Sequence, residues 1–93
     1  MTKKRFASVW DAIEDTPEEA ENMKLRSTLM MALRNHIAKT GMSQAQAAKL
    51  FSVTQPRVSD LMRGKINLFG LDALVNMATA AGLRIEMQVH EPA

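Results

Sequence analysis

Side chains suited to reading or holding a polyanion are concentrated in one stretch of this 93-residue chain, Ser43 to Lys65. Gln55, Arg57, Ser59, Asp60 and Arg63 all fall between Thr54 and Lys65. Glutamine matches adenine N6/N7 with two hydrogen bonds and arginine matches guanine O6/N7, each such pair contributing ~1–3 kcal/mol of discrimination. Asp60 either accepts from cytosine N4 or orients Arg57 or Arg63. Orientation is favoured, because an unpaired acid is repelled near phosphates. Ser43 and Gln44 open the preceding helix, where free first-turn amides bond phosphate, and Lys39, Arg63 and Lys65 are expected phosphate contacts. Other chemistries have little to work with. There is no cysteine for disulfides or thiolate metal sites, and His36 and His90 have no ligand-like neighbours in sequence. The four glycines mark helix ends and starts and form no phosphate loop. No enzyme activity, metal or cofactor is expected.

Two short helices and a tight turn must position these residues. Counted from Gln44, small or apolar residues recur at Ala47, Ala48, Phe51, Val53, Val58 and Leu61. Ala47, Ala48 and Phe51 line one face of the first helix, and Ala48 lets the second approach closely. Val58, Leu61 and Met62 pin the second helix from beneath and leave its other face free for a major groove. Ser43 is the expected N-cap of helix 43–50, with Gln46 at the capping-box position. Ser52 takes the turn and Thr54 caps helix 55–63, where Pro56 loses no intrahelical hydrogen bond. An αα-hairpin that only builds core is the plainer reading of the apolar positions, and a non-DNA protein-interaction module is a further alternative, but that module leaves the outward Gln55, Arg57 and Arg63 unexplained.

Length and composition allow one domain with a modest core, built mainly from Leu, Ala, Met and Ile, since aromatic content is only 4%. No apolar run is long enough for a membrane span, and the basic start MTKKRFASVW lacks the apolar region of a signal peptide. A cytoplasmic protein is expected. The net charge of +2 conceals a segregated pattern. Lys3, Lys4 and Arg5 open the chain. Residues 6–23 hold six acids and no base, and residues 24–65 hold eight bases against Asp60 alone. The basic block coincides with the helix pair, as phosphate neutralisation requires.

Three segments are therefore expected: a basic tail and acidic amphipathic segment over 1–23, a helix-turn-helix domain over 24–82, and a C-terminal dimerisation strand and tail over 83–93. In the first, Phe6, Val9, Trp10 and Ile13 recur at helical spacing, with Asp11, Glu14 and Asp15 opposite. This face either packs on the chain's own core or docks on a basic partner through Phe6, Trp10, Asp11 and Glu14. Thr16-Pro17-Glu18-Glu19 is the strongest helix start, and residues 17–40 form one long helix or two abutting ones. Leu25, Leu29, Leu33 and Ile37 give its buried stripe, with Met30 and Ala32 alongside. His36 beside that stripe reads as a boundary residue. Ile66, Leu68 and Phe69 are expected to tuck under the core from a loop. A last helix near 70–81 should turn Leu71, Leu74, Val75, Ala78 and Ala81 inward before Gly82. Residues Leu83 to His90 alternate apolar and polar, the mark of a strand. Leu83, Ile85, Met87 and Val89 would then pair with the same strand of a second copy around a two-fold axis.

The segment SQAQAAKLFSVTQPRVSDLMRGK, followed by LDALVNMATAAGL, resembles the XRE (lambda-repressor-like) helix-turn-helix family. Gln44, Ala48, Val58, Leu61 and the Arg63-Gly64-Lys65 end all agree with its pattern. The resemblance implies an all-α, compact five-helix bundle, here with an N-terminal helical extension and one C-terminal strand. It also implies dimeric operator binding without catalysis, and DNA contacts at Gln44, Thr54, Gln55, Arg57 and Asp60. The whole chain is similar to the small HigA-like antitoxins of bacterial type II toxin–antitoxin operons, through FASVWDAI, PEEAENMKLRS and the LRIEMQV end. That similarity implies autorepression of an operon and neutralisation of a RelE/HigB-like ribosome-dependent mRNA endonuclease. A stand-alone phage-type repressor fits the same core without a toxin partner.

Overall fold

A computed structural model describes residues 16–92 of the chain. They form four α-helices and one 3-10 turn: α1 (Pro17–Thr40), α2 (Gln44–Phe51), α3 (Gln55–Met62), the turn Ile66–Leu68, and α4 (Leu71–Ala80). Residues 17–40 are one continuous helix of 24 residues. Thr16 accepts the Glu19 amide at 3.1 Å, Pro17 takes the first position, and Gly41 closes the far end with φ 70°. None of the described helices is long and apolar enough to cross a membrane.

The core is shared by all four helices. Met30, Leu33 and Ile37 of α1 meet Ala47, Ala48 and Phe51 of α2, Val58 and Leu61 of α3, and Leu74, Met77 and Ala78 of α4. Phe69 enters from the 3-10 turn and is fully buried. The stripe expected on α1 is shorter than its sequence spacing suggested. Leu29 is only partly buried, Ala32 is exposed, and Leu25 is 37% exposed. Leu25 instead borders a shallow apolar groove with Leu29, Leu71, Val75, Ile85 and Met87. Leu68, expected inside, is 49% exposed.

The ends of α2, α3 and α4 share one device. At the end of α2 the Val53 amide donates to the Ala48 carbonyl (2.9 Å) and the Ser52 amide to that of Lys49 (3.3 Å). After α3 the matching pairs are Lys65 to Asp60 (3.1 Å) and Gly64 to Leu61 (3.0 Å). After α4 they are Leu83 to Ala78 (2.9 Å) and Gly82 to Thr79 (3.0 Å). Each is a Schellman closure, which needs a left-handed residue at its centre. Gly64 and Gly82 supply it at φ 73° and 77°, whereas Ser52 adopts φ 59°, ψ 44° with a Cβ present. A left-handed L-residue costs ~1–2 kcal/mol, part of which glycine returns as lost chain entropy. Ser52→Gly is therefore expected to raise stability by about 0.5–1 kcal/mol in urea unfolding.

Two expectations are overturned. The described residues hold four α-helices, not a five-helix bundle: residues 17–40, which could have been two abutting helices, run as one, with no glycine or proline after Pro17 to break them before Gly41. They also hold no strand: residues 83–92 are irregular. The alternation from Leu83 to His90 has no pairing edge within one chain, and a lone strand leaves its own amides and carbonyls unsatisfied. Leu83 is instead drawn back onto α4 by the closure at Gly82 and packs against the core. Ile85 (39% exposed), Met87 (66%) and Val89 (85%) follow over the surface, so no strand places these residues in a ladder. The N-terminal helical extension expected around Phe6–Ile13, with Trp10, Asp11 and Glu14, lies outside the described residues. Of the acidic segment, Glu18, Glu19 and Glu21 belong to the first turns of α1.

Candidate nucleic-acid interface

The surface presented by α2 and α3 follows from how each helix is anchored. On α2, Ser43 and Gln46 form a reciprocal capping box: the Gln46 amide donates to Ser43 Oγ (3.1 Å), and the Ser43 amide donates to Gln46 Oε1 (2.9 Å). The box leaves Gln44 exposed at the helix tip. Ala47 is fully buried and Ala48 nearly so, which lets α3 cross α2 closely. Val58 and Leu61 are fully buried beneath α3, and Met62 is half-buried.

The opposite face of α3 carries the expected reading residues. Thr54, Gln55 and Arg63 are exposed, and Ser59 is partly exposed. Among the described residues none of these four side chains makes a hydrogen bond. The cap expected from Thr54 is not made by its hydroxyl; only its carbonyl takes part, accepting the Val58 amide at 3.2 Å. Pro56 has no amide to satisfy, and the first-turn amides of Gln55 and Arg57 have no intrahelical acceptor. Lys39 is exposed in the last turn of α1.

Three expected members are already engaged. Arg57 donates from Nη1 to the Leu68 carbonyl (2.7 Å) and lies over the Phe69 ring, 4.1 Å from its centroid. Asp60 faces Lys65 at 3.9 Å rather than Arg57 or Arg63. The Lys65 amide already donates to the Asp60 carbonyl, which brings the two side chains together. With side chains 30% and 48% exposed, this pair adds little stability and mainly aims the ammonium group.

The sequence reading did not select Arg34 or Arg26. Arg34 Nη1 lies beside Gly64, 3.2 Å from where a Cβ there would stand, so α1 adds a cation at the C-terminal end of α3. Arg26 donates to Asn22 Oδ1 (2.6 Å) and to the Ile66 carbonyl (3.4 Å), tying α1 to the 3-10 turn. Their membership of the basic block was the only signal for either. Among the described residues no group of His, Cys, Asp or Glu is arranged to hold a metal ion.

A family profile described as a helix-turn-helix domain matches residues 12–90, most of the chain. A solved structure assigned to the XRE family of transcriptional regulators superposes with a TM-score of 0.72 at 28% identity, covering 80% of this chain and 83% of that one. The chain belongs to the XRE-type helix-turn-helix family. No curated protein matches it. Within this helix-turn-helix protein, α2 and α3 are the paired helices, and Ser52 and Val53 form the turn between them.

Proposed function

We propose that this XRE-type protein is a sequence-specific transcriptional repressor and the antitoxin of a type II toxin–antitoxin operon. As a member of its family it is a DNA-binding transcriptional regulator. The observation that carries the reading is the face of α3: Val58 and Leu61 are buried below, while Thr54, Gln55 and Arg63 stand exposed above. Gln55 reads a base, with Ser59 beside it. Ser43, Gln44, Thr54, Lys39, Arg63 and the aimed Lys65 bind phosphate on either side of the groove. Two copies bind the operator, one recognition helix in each half-site. No catalytic step is assigned to the chain.

The antitoxin role rests on charge segregation and on similarity to HigA-like proteins. Six acids precede the basic block, and a ribosome-dependent mRNA endonuclease is a basic, RNA-binding partner to which their charge is complementary. Co-expression with the neighbouring open reading frame tests this. The full chain is expected to co-purify with that product and to relieve its growth arrest, whereas a chain lacking residues 1–15 should lose most of the complex and still bind DNA. Absence of any complex with the full chain leaves the stand-alone repressor.

A further inference from the structure

Arg57 occupies the first turn of the recognition helix, where an outward arginine would be expected to reach for guanine. Its side chain runs the other way. One edge of the guanidinium bonds the Leu68 carbonyl (2.7 Å), and its face covers the Phe69 ring (4.1 Å). A planar fork can make both contacts at once, whereas a lysine ammonium supplies a point charge without the matching plane.

The residues at the other end explain what such a bracket does. Leu68 closes the 3-10 turn, Phe69 anchors that turn in the core, and Gly70 is the N-cap of α4. Arg57 therefore ties the start of α3 to the corner from which α4 departs. The eight-residue α3 has two fully buried anchors, Val58 and Leu61, both below its axis. They fix its depth and constrain its tilt much less. Among the described residues, no other side chain in its first turn makes a hydrogen bond, and Thr54 provides no side-chain cap. We propose that Arg57 is a positioning residue: it sets the angle at which α3 presents Gln55 and Ser59 and does not itself read a base. The assignment rests on the reading of α3 as the recognition helix. To touch a base, Arg57 has to give up the carbonyl bond and the ring face together.

Thermal unfolding and binding measurements on Arg57→Ala, Arg57→Lys, Phe69→Leu and Phe69→Leu/Arg57→Ala test the assignment. The duplexes are the region upstream of the protein's own gene and a shuffled duplex of equal length and composition. Arg57→Ala should lower the melting temperature and weaken binding to the upstream duplex more than to the shuffled one, because Gln55 is no longer held at its reading angle. Arg57→Lys should restore part of each loss. In the Phe69→Leu background Arg57→Ala should cost less melting temperature than in the wild type, because the two residues act through one contact. An Arg57→Ala chain with unchanged melting temperature that binds both duplexes equally overturns the proposal, for that is the behaviour of a base reader. Wild-type protein that binds neither duplex at low salt overturns the DNA-binding reading and the assignment with it. A coupled loss of melting temperature in that case would still locate the Arg57–Phe69 contact.

Discussion

Replacing Phe51 by alanine is expected to lower the unfolding free energy by ~3–5 kcal/mol. Phe51 is 1% exposed at the end of α2 and belongs to the cluster that joins α2, α3 and α4. Its removal loses the transfer energy of the ring and leaves a cavity. Val58 and Leu61 of α3 and Leu74 of α4, in the same cluster, are held on other helices and close it only in part. For a domain of this size total stability is about 5–15 kcal/mol, so the loss is a large share of the whole. Urea unfolding followed by circular dichroism gives the number. Any DNA affinity should fall with it, because the buried face of α3 rests on the same cluster. A change below about 1 kcal/mol contradicts the packing described for α2.

Gln55→Ala is expected to do the opposite: little to stability, much to recognition. Gln55 is exposed at the first position of α3 and bonds to no other described residue. Its truncation should change unfolding by no more than ~0.5 kcal/mol. If it makes a bidentate pair with adenine, the preferred duplex loses ~1–3 kcal/mol while shuffled DNA is bound nearly as before. Competition binding with the two duplexes measures the difference directly. Equal weakening on both duplexes would instead make Gln55 a backbone contact.

These two residues also show what the sequence makes legible. Local rules mostly work where a residue's partner is a few positions away, the hydroxyl cap expected at Thr54 being the exception. The Ser43–Gln46 box, the Thr16–Glu19 cap and the turn at Ser52 all follow from i to i+3 or i to i+5 bonds, and all three form. Periodicity likewise finds the undersides of α2 and α3; on α4 it finds Leu74 and Ala78 but passes over the buried Met77, while Leu71, Val75 and Ala81 are only partly buried. It overreaches at Leu25, because helical spacing does not say where a 24-residue helix outruns its neighbours. Alternation misleads from Leu83 to His90 for a related reason. A period of two makes a segment fit for a strand, but only a second edge makes it one.

The side chains around α3 show the same boundary between local and distant partners. Exposure of Gln55 and Arg63 was readable from helix phase alone. The direction of Arg57 was not, because its partners lie eleven and twelve residues on, across a turn whose shape depends on Phe69 being buried. Asp60 was expected to orient an arginine. It faces Lys65 because the helix closure at Gly64 folds the following residue back beside it. Arg26 and Arg34 escaped notice because each acts on a loop about thirty to forty positions away in sequence.

The most direct test of DNA recognition by α3 is a titration of the purified chain against its own upstream duplex and a shuffled duplex over a series of salt concentrations. Phosphate contacts from Lys39, Arg63 and Lys65 should make log affinity fall linearly with log salt on both, with a slope of roughly −0.9 per contact. The upstream duplex should remain the tighter ligand throughout. Failure to bind either duplex at low salt, or two superimposed binding curves, contradicts the account.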